Sequence, residues 1–324
     1  MNWGILGAGS IARRWMTGAV LVPDMRVKAV ASRRVQSARV FAEEYGIEIV
    51  EESCVALCRR EDIDCIYVAA PHTEHAALSI LAMKHGKAVL CEKPMAPNRK
   101  QVAAMIEAHE KSRVFLMEAM WMRFFPAFQR ARKMIAAGAI GEVRAIHAAF
   151  AFRIEETDRA HRLLSPALAG GGLLDVGVYG LHFCQGMLGT WPVEKTGLCS
   201  LNGGVDEQAT MVLRFPNDVL ATVHCAVKTA MPDEAVVYGT KGRIVFSRFW
   251  APDGFVVHMA NGETQQVSCP VVQDCGFQYE IMHVNECVKN GLLESPEMPL
   301  SLSLKMMALC DEFRKMWGIR YPFE

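Results

Sequence analysis

The sequence predicts an α/β protein in two parts: a doubly wound, parallel α/β half, then an α+β half with a mostly antiparallel open sheet. Three observations carry this. The first fourteen residues read as a short apolar strand running into Gly7-x-Gly9-x-x-Ala12. Strand and helix patterns then alternate as far as Met120, and beyond Trp121 long alternating strands separated by turn residues replace them.

A chain of 324 residues is long enough for two domains that each bury a core, expected over 1–120 and 121–324. Lys+Arg and Asp+Glu both number 35, so the formal net charge is zero. That balance argues against nucleic-acid and membrane-surface partners, which need a positive field. Met1 leads directly into the first strand, which leaves no cationic, apolar leader and makes the cytoplasm the expected compartment. The longest uncharged run, Val176 to Val193, is broken by five residues of glycine and proline and by His182 and Gln185, so it reads as a buried segment rather than a membrane span. Eleven cysteines without a C-x-x-C pair read as reduced thiols. Only Cys54 and Cys58 lie a helical turn apart, so no metal site is expected.

In the first half, Gly4, Ile5 and Leu6 enter the core, Gly7 permits a tight turn, and Gly9 leaves bare backbone beside a pyrophosphate. Ala12 then lets the helix sit close to the strand. The helix turns its N-terminal N–H groups and positive dipole end towards that site. Gly7, Ala8, Gly9, Ser10 and Ile11 are therefore the candidate phosphate contacts of a dinucleotide-binding Rossmann domain; a glycine-rich turn without a ligand is the alternative. The second strand, Arg26 to Ser32, ends in Ser32-Arg33-Arg34, where an NAD site usually places an acid for the ribose 2′-hydroxyl. Arginine forks pair with a 2′-phosphate and serine can donate to it, so NADP is the expected cofactor, with NAD possible.

A helix over Gln36 to Tyr45, a short strand over Glu48 to Val50 and a helix capped by Ser53 follow. The next strand, from Asp64, ends in Ala70-Pro71-His72, at the carboxyl rim where open α/β sheets bind ligands. His72 and His75 stand there as candidate cofactor contacts, although a histidine at a helix start needs no ligand to explain it. A strand over Ala88 to Cys91 delivers Glu92-Lys93-Pro94 to the same rim, and Pro94 keeps Lys93 extended so that its ammonium projects into the cleft. A helix from Asn98 to Ser112 and a strand from Val114 to Glu118 complete this half.

Gly7-x-Gly9-x-x-Ala12, Ala70-Pro71-His72 and Glu92-Lys93-Pro94, in that order and spacing, resemble the glucose-fructose oxidoreductase / inositol dehydrogenase (Gfo/Idh/MocA) family of NAD(P)-dependent enzymes. The resemblance runs along essentially the whole chain. Met117-Glu-Ala-Met-Trp-Met-Arg-Phe-Phe125 is most similar to the branch containing dimeric dihydrodiol dehydrogenase and NADP-dependent D-xylose dehydrogenase. It implies that Lys93 lies beside the nicotinamide and the substrate hydroxyl, and that the Lys93–Pro94 peptide is cis.

The second half opens with a helix over Pro126 to Ala137. Strands are expected over Val143 to Phe152, Glu207 to Phe215, Val219 to Val227, Ala235 to Gly239, Arg243 to Ser247, Val256 to Met259 and Thr264 to Cys269. The segments Gly172 to Leu188, Phe277 to Asn290 and Ser301 to Trp317 are the helices available to cover one face of that sheet. The other face is left for a second subunit, and the family packs such sheets face to face, so a homodimer or higher homo-oligomer is expected.

Ala169-Gly-Gly-Gly-Leu-Leu-Asp-Val-Gly-Val-Tyr-Gly-Leu-His182 carries the chemistry. Its glycines allow close backbone approach, and Asp175 and Tyr179 fall four residues apart on one helix face that His182 extends. The family pattern here is three glycines, then Asp-x-Gly-x-His-x-x-Asp. Tyr179 stands at the usual histidine, as in the dihydrodiol and glucose-fructose branch, where it implies a tyrosine acid/base. His182 stands at the second acid, which weakens any carry-over of substrate contacts from inositol-type members.

Oxidising an alcohol removes an O–H proton while hydride leaves carbon for the nicotinamide. The expected roles are Tyr179 as acid/base, Lys93 as its electrostatic partner and substrate anchor, and Asp175 as orienter, with a sugar, polyol or cyclic diol as the small-molecule substrate. Trp121, Arg123, Phe152, His182 and Trp250 are candidates for the substrate wall. Two other classes keep the fold: a nucleotide-sensing regulator without turnover, which should have lost Lys93 or Tyr179, and an NAD-retaining glycosidase, against which Ser32-Arg33-Arg34 argues.

Overall fold

A computed structural model describes residues 1–273 and 275–324. They form two compact units, Met1–Trp121 with Gln273–Ala308, and Met122–Val272 with Leu309–Glu324.

In the first unit β1 (Asn2–Leu6) leads into α1 (Ser10–Ala19), β2 (Arg26–Ala31) into α2 (Val35–Tyr45), and β3 (Ile49–Glu51) into α3 (Cys54–Cys58). Then come β4 (Cys65–Val68), α4 (His75–Lys84), β5 (Ala88–Glu92), α5 (Arg99–Ser112) and β6 (Leu116–Ala119). The strands are parallel throughout, in the order β3-β2-β1-β4-β5-β6. Order reverses between β1 and β4, so a crevice opens at their carboxyl ends. β4 is buried at every position, as a strand covered on both faces must be. Side-chain caps start two helices: Ser53 Oγ accepts the Ala56 N–H at 3.1 Å, as the sequence suggests, and Asn98 Oδ1 accepts the Gln101 N–H at 2.9 Å, which makes Asn98 a cap rather than the first helical residue.

The second unit begins with α6 (Pro126–Ala136) and β7 (Val143–Ala151), and a π-helical turn at Leu173–Gly177 feeds α7 (Val178–Leu188). Seven further strands follow: β8 (Glu194–Asn202), β9 (Val205–Arg214), β10 (Leu220–Ala226), β11 (Ala235–Gly239), β12 (Gly242–Phe246), β13 (Gly254–Met259) and β14 (Thr264–Ser268). They form one sheet in the order β14-β13-β12-β11-β7-β10-β9-β8, antiparallel except for β7 beside β10. Along β9, buried Ala209, Met211 and Leu213 alternate with exposed Thr210, Val212 and Arg214, the signature of a sheet with one covered face. The uncovered side also carries Leu198, which is 83% exposed. Residues 166–188 are long and apolar enough to cross a membrane by composition, but 89% of the apolar 18-residue window within them is buried inside the protein.

The last helices depart from expectation. The sequence offers α8 (Phe277–Lys289) as cover for the second sheet, yet the helix belongs to the first unit and packs on α1. The boundary between the units falls within α9 (Leu300–Met316). The physical reason is a slot at Gly18, where an added Cβ would lie 2.6 Å from Phe277 Cβ and 2.7 Å from the Gln278 nitrogen. At the other end of α8, Trp3 Nε1 donates to Asn285 Oδ1 at 3.0 Å, tying β1 to the helix.

Gly18→Ala tests that packing, because the intrinsic preference and the contact predict opposite signs. Alanine gains about 1 kcal/mol over glycine in an open helix interior, whereas a methyl group forced against the α8 backbone costs about 1–3 kcal/mol. A lower urea midpoint is expected, and an unchanged or higher one would contradict the slot.

Candidate active site

The carboxyl ends of β1, β2, β4 and β5 bring the cofactor candidates to one rim of the first sheet. Gly7 has φ +113°, and a Cβ there would stand 2.4 Å from the Ala69 carbonyl oxygen, so only glycine lets the chain turn this close to the end of β4. Its N–H donates to Ala31 O at 2.9 Å, which extends the pairing with β2 by one residue. Gly9 then starts α1 without a side-chain cap, the first turn holds no acid, and a Cβ at Gly9 would meet nothing within 4 Å. N–H groups left for an outside acceptor, with open space before them, fit the pyrophosphate of a dinucleotide. Ala8 and Ile11 are half-buried and Ser10 is exposed at the same turn.

At the end of β2, Ser32 is half-buried while Arg33 and Arg34 are exposed, and no carboxylate pairs with either guanidinium among the described residues. In the loop after β4, Ala70 and His72 are half-buried and Pro71 is exposed. His75 is fully buried, with Nδ1 at 2.9 Å from Pro94 O and Nε2 at 2.8 Å from Ala70 O. Its ring therefore lies between the loops after β4 and β5; burial holds its pKa below the ordinary histidine value, and the single N–H of the neutral ring donates to one of the two carbonyls.

Lys93 is half-buried at the end of β5 and its peptide bond to Pro94 is cis. The residue before it is its anchor: Glu92 is buried, accepts the Tyr67 hydroxyl at 2.6 Å through Oε1, and accepts the Lys93 N–H at 3.1 Å through Oε2. Met95 N–H donates to Glu118 Oε1 at 2.9 Å on the far side of the proline. Burial raises the Glu92 pKa. Behind it Glu280 of α8 is fully buried with neither carboxylate oxygen paired, and desolvation followed by the Glu92 charge pushes its pKa well up. Trp121 stacks on Phe277 at 4.1 Å, with Arg14 lying 5.7 Å over its ring.

In the second unit Tyr179 is 7% exposed, on the first turn of α7. Its ring meets Phe150 edge-on at 5.4 Å, and Phe150 stacks on Trp250 at 5.0 Å and lies 6.4 Å from Phe152. Phe150, Phe152 and Trp250 are each half-buried, so the phenol sits among aromatic faces that remain partly open. Trp250 is fixed by its Nε1, which donates to Asp233 Oδ2 at 2.9 Å.

Asp175 is buried and pairs with Arg162 Nη1 at 2.8 Å. It lies in the π turn, so the regular four-residue helical spacing to Tyr179 expected from the sequence is interrupted. Arg123 is buried and donates to Gln185 Oε1 at 2.9 Å, and His182 is fully buried with both ring nitrogens unpaired and its pKa pushed well down by desolvation. The glycines before the π turn meet Asp206, whose Oδ2 accepts the Leu173 N–H at 2.6 Å.

Sequence reasoning did not find Phe150, Arg162, Asp206 or Glu280. Phe150 lies in a run read only as a strand, and the others act through partners remote in the chain. Among the described residues no cluster of three His, Cys, Asp or Glu side chains could hold a metal ion, and the eleven cysteines form no disulfide.

Comparison with known proteins agrees with both halves. A family model described as an oxidoreductase family with an NAD-binding Rossmann fold matches residues 1–120, and one described as a GFO/IDH/MocA C-terminal domain matches residues 128–245. The chain is 35% identical over 333 residues to trans-1,2-dihydrobenzene-1,2-diol dehydrogenase of Mus musculus, covering 99% of this chain and 98% of that protein. An aldose-aldose oxidoreductase from Caulobacter crescentus, solved with glycerol, superposes with a TM-score of 0.89 at 26% identity, over 98% of this chain and 97% of the other. A 3-ketoreductase from Actinomadura kijaniata, solved with NADP and TDP-benzene, superposes with a TM-score of 0.86 at 27% identity, over 98% of each chain. With its dinucleotide turn, its Glu-Lys-Pro rim and both halves matched, the chain belongs to the Gfo/Idh/MocA family of oxidoreductases.

Proposed function

We propose that this protein is an NADP-dependent dehydrogenase or reductase acting on a sugar, polyol or cyclic diol, with Tyr179 as acid/base and Lys93 as its partner. The observation that carries the reading is the rim of the first sheet, where an uncapped helix start, an arginine pair and Lys93 sit at the carboxyl ends of β1, β2 and β5. When bound, the nicotinamide supplies the redox step by taking up or returning a hydride. The N–H groups at Gly9, Ser10 and Ile11 would hold the pyrophosphate, and Ser32, Arg33 and Arg34 would hold the 2′-phosphate. Ala70, Pro71 and His72 border the nicotinamide end, and His75 fixes that loop to the one carrying Lys93.

In oxidation, Tyr179 Oη accepts the substrate hydroxyl proton; in reduction it returns one. A free phenol ionises near pH 10, too high for a base at neutrality. The Lys93 ammonium, hydrogen-bonded to the same substrate oxygen, favours the phenolate. Asp175, paired with Arg162, orients a second hydroxyl, and the half-open rings of Phe150, Phe152 and Trp250 form an apolar wall for a ring-shaped substrate. A screen of aldoses, inositols and cyclic diols with NADP, read by absorbance of the reduced cofactor, tests the reading. Turnover on one of these classes is expected, with Tyr179→Phe lowering kcat by about two to four powers of ten. Cofactor binding without turnover across the panel would favour the regulatory alternative.

Cofactor choice is tested separately. Arg33→Ala with Arg34→Ala should weaken NADP far more than NAD, since each charge-assisted contact to phosphate is worth about 1.5–3 kcal/mol. Equal loss for the two cofactors, or a wild-type preference for NAD, refutes the assignment.

We also infer a cytoplasmic homodimer formed through the uncovered face of the second sheet. Its support is the exposed apolar set Leu198, Val212, Leu220 and Tyr238. Light scattering at micromolar concentration should give twice the monomer mass; a monomer mass rules the interface out.

A further inference from the structure

We propose that Asp206, Arg314 and Tyr321 form a clamp that positions Tyr179, by fixing the turn at Gly170–Leu173 from which the Tyr179 helix springs. The proposal rests on the acid/base reading of Tyr179 and adds positioning residues outside the family motif.

The turn is unusual backbone held from several sides. Ala169 and Gly171 have φ of +54° and +114°, two left-handed residues within three. Gly170 N–H donates to Ser165 O at 3.0 Å and Gly171 N–H to Leu163 O at 2.9 Å, so one edge is tied to the preceding loop. The other edge is tied by side chains. Tyr321 is 1% exposed and its hydroxyl donates to Gly170 O at 3.1 Å. Asp206, also 1% exposed, accepts the Leu173 N–H at 2.6 Å. The fit leaves no slack, because a Cβ at Gly171 would lie 2.2 Å from Asp206 Oδ1.

Tyr321 is itself held. Arg314 lies 4.5 Å over its ring and pairs through both terminal nitrogens with Glu324, at 3.0 and 2.8 Å, while a further bond reaches Asp311 at 2.7 Å. The Tyr321 N–H donates to Glu324 at 3.2 Å, closing the loop. A planar fork in a two-point pair fixes orientation as well as distance. Leu173 opens the π turn that continues into α7, so any shift of the turn moves Asp175 and Tyr179 together.

The charge on Asp206 matters to this arrangement. The groups facing it are Arg314 and Tyr321 from α9 and the segment after it, Cys199 from β8, Cys225 from β10, and the Gly172 and Leu173 N–H groups. Burial outweighs Arg314 and the backbone donors and pushes the Asp206 carboxyl up to about 7. The folded state therefore holds this proton between pH 3.8 and about 7, so the ionised form that grips Leu173 costs stability as pH rises through that window. Function then draws on a charge that the fold disfavours.

Tyr321→Phe and Asp206→Asn, with Tyr179→Phe as reference, test the clamp on the full-length chain. Tyr321→Phe removes one hydroxyl and should lower kcat about ten- to a hundredfold while leaving the NADP dissociation constant unchanged and thermal unfolding cooperative. Asp206→Asn should lower kcat and flatten the acid limb of the wild-type profile near neutrality. Its melting temperature should gain on that of the wild type as pH rises from about 5 to about 8. Wild-type kcat in Tyr321→Phe, or an unchanged acid limb in Asp206→Asn, overturns the clamp provided Tyr179→Phe is inactive. An active Tyr179→Phe instead overturns the acid/base reading, and the clamp's catalytic role with it. If Asp206→Asn does not fold, the kcat and cofactor affinity of Tyr321→Phe decide.

Discussion

Gly7 passes so close to the end of β4 that a methyl group on it would stand 2.4 Å from a carbonyl oxygen, and the rest of the first unit depends on that approach. It lets β1 turn into α1 while β1 still pairs with β2 and β4 on either side. The helix start is thereby set at the switch point of the sheet, with N–H groups and no side chain to cap them. Each other feature of the rim is placed relative to this turn by strand pairing. β5 lies next to β4, so Lys93 is delivered to the same edge as His72, and the His75 ring packs between the two loops, within hydrogen-bond distance of a carbonyl oxygen from each.

Polar groups buried behind the rim are organised around Glu92. Its carboxylate takes a phenol on one oxygen and the Lys93 peptide on the other, so the backbone that carries the ammonium is held from inside the domain. Glu280 adds a second carboxyl to that interior, and two acids sharing one dry region cannot both ionise without large cost. The second unit follows a similar logic at Gly170–Leu173, where left-handed backbone is fixed by buried side chains. Strained backbone that the surrounding structure over-determines is a recurrent way to hold a reacting group still.

Much of this was legible in the sequence, for reasons that particular elements make clear. β4 and β5 were readable because strands covered on both faces are unbroken apolar runs, and Ser53 announced its helix by capping chemistry. The rim residues stood out because motif, strand end and turn coincide there. β8 was not readable. Its residues alternate between half-buried and exposed, with Leu198 open to solvent and Gly197 in its interior, so it lacks the apolar face that signals a strand. α8 was legible as a helix but not as part of the first unit, because amphipathicity reports that a face is buried and not which partner buries it. Asp206, Arg162 and Glu280 act on groups 33, 13 and 188 residues away, and no local pattern encodes such contacts.

The proposed mechanism turns on one cation and one phenol, with Lys93 proposed to make Tyr179 a usable base near neutrality. Comparing the pH dependence of alcohol oxidation in the wild type and in Lys93→Met tests it most directly. Loss of the ammonium should slow turnover and move the limb that reports the phenol to higher pH, because the phenolate loses the charge that stabilises it. An unmoved limb, with the change confined to a weaker cofactor dissociation constant, would contradict the account and leave Lys93 as a phosphate contact.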